Sequence, residues 1–256
     1  MLNTKNMRLA TLLLSILAVA FVFPLPASYI VGPSTSPITP STGKPGFVQT
    51  AEAHQLTGAP LSASFVSLPK INNVVIVGAG FSGGTVVSSL DGKVTDNQGN
   101  SYSRVILQSP NGSAPGGVSF WCTVVTVSSG TYTVSADSNA GSQKGLMIFE
   151  YGSTSCNPDK TVGALSAASP YSCGSLTTKN TNDLLLTFLL VPVGGASAFT
   201  APSGFMIEQQ QVTVLNGLTM AIADKVVSAT NTFTPTFAAN TNVADSQCAF
   251  VAMISH

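Results

Sequence analysis

At 256 residues the chain has room for one large all-β domain or two small ones, and length enough for a substantial core. Basic and acidic residues number 10 each, so no positive surplus is available to draw nucleic acid. Charged residues make up only 8% of the chain, against about 25% in average soluble domains; hydroxyl and amide side chains must carry solubility.

The N-terminus reads as an export signal. Lys5 and Arg8 precede an apolar run at 9–23, which suits a signal-peptide core and is shorter than the roughly 20 residues of a membrane span. Cleavage after Ala27 is one possibility, although Leu25 at the −3 position is not the small residue preferred there; Ala51-Glu52-Ala53 fits the small-x-small rule better but lies unusually far downstream, and an uncleaved anchor is the alternative. With residues 1–27 as the signal peptide, 28–60 form a Pro/Ser/Thr linker too poor in large apolar residues to order itself. A donor strand for a neighbouring subunit's sheet is the other use for such a segment, but it needs alternating apolar residues. Only Phe47-Val48 and the run 61–68 come near that.

Residues 61–256 are punctuated as one antiparallel β domain. Asp91-Gly92, Asn111-Gly112 and Asn216-Gly217 suit the positive φ of two-residue hairpin turns. Strands are predicted at 119–127 and 131–136, joined as a hairpin through 128–130, and at 145–151, 183–191, 206–215, 218–227 and 247–254. The apolar run 184–190 is short and closely followed by Pro192, which favours a central strand buried on both faces over a helix. The stretch 231–237 belongs at an edge, because Pro235 cannot donate to a ladder. No internal repeat is visible. About a dozen strands with frequent turn signals predict a single two-sheet antiparallel sandwich of jelly-roll type.

One stretch offers a competing architecture. Gly78, Gly80 and Gly83 spell the G-x-G-x-x-G of a dinucleotide-binding turn after the strand 74–77. That turn must open a helix, yet residues 84–92 are rich in Thr, Val and Ser and end at Asp91-Gly92. The strands that follow lack the crossover helices of a parallel sheet. The glycines are therefore expected in a strand and a tight reversal, with no nucleotide cofactor.

Cys122, Cys156, Cys173 and Cys248 make an even count in an exported chain, so disulfides are expected. Three pairings exist; Cys156–Cys173 is favoured because the two flank a Ser-, Ala- and Pro-rich segment that reads as a loop. Cys122 and Cys248 either join two strands or remain small buried thiols.

Across the domain, the segments at 73–77, 94–102, 130–134, 148–152, 176–185, 203–205, 223–225 and 248–252 follow an order that resembles secreted bacterial β-sandwich modules of lectin-like or jelly-roll type. The resemblance covers nearly everything after Leu61 and implies fold and extracellular location. It supplies no catalytic residue, and the four cysteines and the long Pro/Thr leader depart from it.

The chemistry available is narrow. His54 lies in the linker and His256 is the last residue, so neither a Ser-His-Asp or Cys-His site nor a histidine metal site is expected in the domain. Glu150, in a strand with Ile148, Phe149 and Tyr151, is the one candidate general acid for glycoside chemistry, against a plainer role accepting hydrogen bonds. Asp96 and Asn100 are a calcium candidate, against an Asx-type turn. Tyr102, Trp121, Tyr132, Tyr151 and Tyr171 are candidates for stacking on sugar faces, although Trp121 beside Cys122 also suits a core. The expectation is a secreted or surface-tethered non-catalytic module that binds an extracellular glycan or other surface polymer. The alternatives are a structural subunit of a fibre, sheath or envelope, contacting copies of itself, and a glycoside-acting enzyme using Glu150.

Overall fold

Short runs of alternating or continuous apolar residues form β-strands throughout the computed structural model, which describes residues 46–55, 60–82, 94–109, 116–137, 143–192, 198–212 and 218–255. The segment read as a signal peptide, the segment read as a linker up to residue 45, the glycines at 83 and 84, the three dipeptides read as hairpin turns and His256 lie outside the described residues. No helix occurs among the described residues.

The chain builds the same fold twice. The first half holds β1 (Phe47–Gln55), β2 (Leu61–Ser64), β3 (Val74–Ser82), β4 (Val94–Asp96), β5 (Ser103–Gln108), β6 (Gly116–Val124), β7 (Thr133–Ala136) and β8 (Gln143–Tyr151). These form an inner sheet β1-β8-β3-β6-β5 and an outer sheet β2-β7-β4, antiparallel throughout. This is a jelly roll whose fifth strand has joined the sheet of its hairpin partner. The second half holds β9 (Thr154–Ser166), β10 (Tyr171–Ser172), β11 (Leu176–Thr177), β12 (Asp183–Val191), β13 (Phe199–Thr200), β14 (Met206–Gln211), β15 (Thr219–Val226), β16 (Thr232–Phe233), β17 (Thr236–Ala239) and β18 (Ser246–Ser255). Its inner sheet reads β9-β18-β12-β15-β14 and its outer sheet β10-β17-β13. Setting aside the added ribbon of β11 and β16, the two strand orders are identical.

The halves meet through their inner sheets, giving four layers and three cores. In β3 the odd-numbered Val75, Val77, Ala79 and Phe81 pack toward the first outer sheet, and Val74 and Ile76 pack toward the second half. In β12 the even-numbered Leu184, Leu186, Phe188 and Leu190 fill the core between the halves, while Leu185, Leu189 and Val191 pack toward the second outer sheet. Both strands are thus central and buried on both faces, which is why they read as continuous apolar runs.

Gly78 and Gly80 do their work in the core between the halves. A Cβ at Gly78 would lie 2.5 Å from the Ile222 Cδ1 and 3.2 Å from the Phe188 ring; one at Gly80 would lie 2.6 Å from Met220 Sδ and 2.9 Å from Leu190 Cδ1. Gly145 in β8 faces Met220 in the same way. The first sheet is hollowed by glycine where the second presents large side chains. Since β3 pairs antiparallel with β6 and β8, the segment is no dinucleotide-binding turn, which requires a parallel strand feeding a helix.

The expected all-β antiparallel jelly-roll-like sandwich is what the strands form, and its strand order occurs twice along the chain, with the inner sheets covered on both faces. Four finer expectations need correction. The stretch assigned to the end of the linker forms β1, an edge strand paired along β8, and His54 lies within it, half-buried. The segments 119–127 and 131–136 are no hairpin: β6 is in the inner sheet and β7 in the outer, so the chain crosses between layers. Pro235 separates β16 from β17, so 231–237 is two short strands. Finally, the disulfides are Cys122–Cys156 and Cys173–Cys248. The supposed loop after Cys156 is the 13-residue strand β9, which carries Cys156 away from Cys173 and against β6. Cys122–Cys156 ties the first half to the second, and Cys173–Cys248 ties β18 to the loop between β10 and β11. Closing loops with sequence separations of 34 and 75 residues, each stabilises by about 4 kcal/mol in the chain-entropy account.

Candidate functional site

Buried polar side chains gather at four places, three of which hold residues singled out in the sequence. Glu150 in β8 is fully buried. Its Oε1 accepts the Lys70 backbone N–H at 2.8 Å and Asn73 Nδ2 at 2.6 Å, and its Oε2 accepts Gln49 Nε2 at 2.6 Å. Gln49 also exchanges two hydrogen bonds with the Ser67 backbone. The carboxylate therefore pins the loop between β2 and β3 onto the edge of the inner sheet, the plainer of its two expected roles.

Asp96 and Asn100 form a second network, with two of the tyrosines. Asp96 Oδ1 accepts the backbone N–H groups of Gln98 and Asn100 at 2.9 and 3.0 Å, the geometry of an Asx turn. Its Oδ2 accepts Tyr132 Oη at 2.6 Å, Asn100 Nδ2 at 2.9 Å and Tyr102 Oη at 3.2 Å. Asn100 Oδ1 in turn accepts from Thr126 and Val127. Both Asp96 carboxylate oxygens and the Asn100 side-chain oxygen are thus engaged by protein donors, the arrangement of the Asx turn that was the alternative to a calcium site at Asp96 and Asn100. Burial pushes the Asp96 carboxyl up, but the hydrogen bonds from Tyr132, Asn100 and Gln98 together outweigh it and hold the group below the usual aspartate value. Burial and the Asp96 charge push both tyrosine hydroxyls upward.

The five aromatic candidates are not gathered on a surface. Trp121, Tyr132, Tyr151 and Tyr171 are each 3% exposed or less, and Tyr102 is half-buried against the first core. Trp121 donates to Ser119 Oγ at 2.9 Å, and Tyr171 donates to the Thr241 carbonyl at 2.7 Å. Tyr151 reaches from β8 across the core between the halves and donates to Asp224 Oδ2 of β15 at 2.9 Å. Burial, with the Glu208 charge added, pushes its hydroxyl well upward. As a stacking platform the set is thus overturned: the rings are core, with their polar tips satisfied inside.

The fourth network was not foreseen. Asp183, the first residue of β12, is fully buried, with Asp159 and Asn180 beside its carboxyl. Burial and the neighbouring Asp159 of β9 push its carboxyl up to about 6. Asp159 is set there by a β-bulge: Ala252 pairs with Lys160 and Met253 with Pro158, leaving Asp159 as the extra residue. The signal in the sequence was Pro158 beside an acid in a strand, where proline marks an edge or a bulge.

Among the described residues no three His, Cys, Asp or Glu side chains gather in a metal-binding group. A depression lined by Leu61, Ala79, Phe81, Ala136 and Lys144 is no larger than a water molecule. No described helix is long and apolar enough to cross a membrane. No family model matches the chain, and neither a curated protein nor a solved structure does.

Proposed function

We propose that the chain is an exported, non-catalytic building block of an extracellular assembly, a relative in kind of the secreted jelly-roll modules it resembles, which contacts copies of itself. The observation that carries this is an apolar pole on the first jelly roll. Val66 is 85% exposed, Ile71 50%, Leu68 44%, Val124 42% and Val48 41%. The loop 65–73 brings them together: Gln49, next to Val48, bonds the Ser67 backbone, and the Asn72 N–H donates to the Val125 carbonyl. Large aliphatic side chains clustered on a folded surface mark a contact site. A second copy is the occupant best matched to this chain, because its 8% charged residues offer little with which to select a charged partner.

Two disulfides support an oxidising, extracellular setting, and bolting across layers suits a part that bears load. Sugar binding through stacked aromatic rings is not favoured by any of the five candidates. The reading is tested by sedimentation velocity on the oxidised chain across a concentration series. Self-association that is lost in the Val66→Asp, Ile71→Asp double variant supports it. A monomer at every concentration removes it.

A further inference from the structure

The two halves build the same connection in two ways. In each, the chain leaves the outer sheet and enters the central strand, through 65–73 before β3 and through 173–182 before β12. In the second half this connection is tied by the Cys173–Cys248 disulfide and by the ribbon of β11 with β16, and its Leu176 is buried. In the first half it has neither tie, and Val66, Leu68 and Ile71 stand in solvent. Among its described residues the second half exposes only Leu165 and Met206 as large apolar side chains, on the separate strands β9 and β14.

Only Phe65 and Pro69 of the first connection bury their side chains. Its ends are fixed by backbone hydrogen bonds, from Phe65 N–H to the Tyr132 carbonyl and from Asn72 N–H to the Val125 carbonyl. Between those ends, the hydrogen bonds that fasten residues 66–71 to the rest of the described protein run through Glu150. Its Oε1 accepts the Lys70 N–H directly, and its Oε2 holds Gln49, whose side-chain amide bonds the Ser67 backbone at both ends. The second half has no such group. Val74 and Leu184 are equivalent, since the residue before each gives its carbonyl to the residue just beyond the neighbouring strand, at 2.8 Å from Val125 N and 3.0 Å from Val227 N. One residue further on, Val75 pairs with Glu150 of β8, and Leu185 with Ala252 of β18. Glu150 in one half thus answers to Ala252 in the other.

We infer that Glu150 is the positioning residue of the apolar pole, the group that fixes the loop 65–73 so that Val66, Leu68 and Ile71 form one surface with Val48 and Val124. The inference rests on the reading of that pole as a contact between copies. A carboxylate suits the task because both of its oxygens accept, and here they meet N–H donors from Lys70, Asn73 and Gln49 at 2.8, 2.6 and 2.6 Å. An amide at this position would turn one N–H toward a donor, and a methyl group would leave all three donors without their acceptor. A surface already held in its bound shape loses less conformational freedom on contact, and so binds more tightly than one ordered by the contact itself.

Sedimentation velocity across a concentration series is run on the oxidised wild type, Glu150→Ala, Glu150→Gln and the Val66→Asp, Ile71→Asp variant, with amide exchange followed by mass spectrometry. Glu150→Ala installs the residue type that the second half carries at the equivalent position, where the ladder forms without a carboxylate. It is expected to raise the dissociation constant for self-association about tenfold or more, and to speed exchange at residues 66–71 while exchange in β3 and β8 stays as in the wild type. Glu150→Gln keeps one accepting oxygen, so its effect should fall between the two and it remains a folded variant to read. Glu150 variants that associate as the wild type does, while Val66→Asp, Ile71→Asp does not, overturn the inference and leave the contact reading standing. Faster exchange throughout β3 and β8 also overturns it, because Glu150 then supports the sheet as a whole rather than the loop. A wild type that stays monomeric removes the contact reading and this inference with it.

Discussion

Gly78 shows how much a missing side chain can specify. Its absent Cβ is what lets Ile222 and Phe188 close the space between the two inner sheets. Gly78→Val should therefore overpack that core and cost about 1–3 kcal/mol, measured as a fall in the urea midpoint with an unchanged slope. Ile222→Ala in the same molecule should recover part of the loss, since the two sites share one volume; strict additivity would show that the sheets do not meet there. Asp96 makes a prediction of opposite character. Its carboxyl is held below the ordinary value, so the stability it contributes is present above the unfolded-state pKa and fades as pH falls through the lower folded-state value. Tyr132→Phe removes its 2.6 Å hydrogen bond and should cost about 1.5 kcal/mol at neutral pH. The cost should vanish at a pH low enough to protonate Asp96, as followed by denaturation at a series of pH values. An unchanged cost in acid would show that the lost bond is not to the carboxylate.

Among the elements, the central strands were legible and the edges were not. The limits of β12 follow from its uninterrupted apolar run, because a strand covered on both faces needs no polar alternation. β1 and β9 were hidden for the converse reason. Each pairs on one side only, carries polar residues such as Gln49, Glu52, Asp159 and Lys160, and is broken by a bulge. The Ser, Ala and Pro residues between Cys156 and Cys173 made β9 read as a loop, and that misreading produced the wrong cysteine pairing. The plain roles of Glu150 and Asp96 were foreseeable from residue type, whereas the opposition of Asp183 to Asp159 depends on a bulge that only the strand register reveals. Cys122–Cys156 joins the two halves, so the Cys122→Ala, Cys156→Ala variant should lose about 2–5 kcal/mol by urea denaturation under oxidising conditions. A reducing agent should then have less left to remove than in the wild type. A variant as stable as the wild type would mean that the bond contributes nothing to holding the halves together.

At the scale of the whole molecule, the duplication was invisible because the halves are complementary where they should be alike. By register, Gly78 is equivalent to Phe188 and Gly80 to Leu190: the same strand position is a hollow in one half and a knob in the other. Any likeness along these strands is erased by the need to fit each other. The shared inner core packs the two jelly rolls against each other, and the exposed apolar pole is the surface proposed above for contact between molecules. Electron microscopy of the oxidised chain at high concentration tests this account most directly. Ordered assemblies, such as filaments or sheets, that disappear in the Val66→Asp, Ile71→Asp variant are the predicted result. Fields of single particles at every concentration would contradict the account.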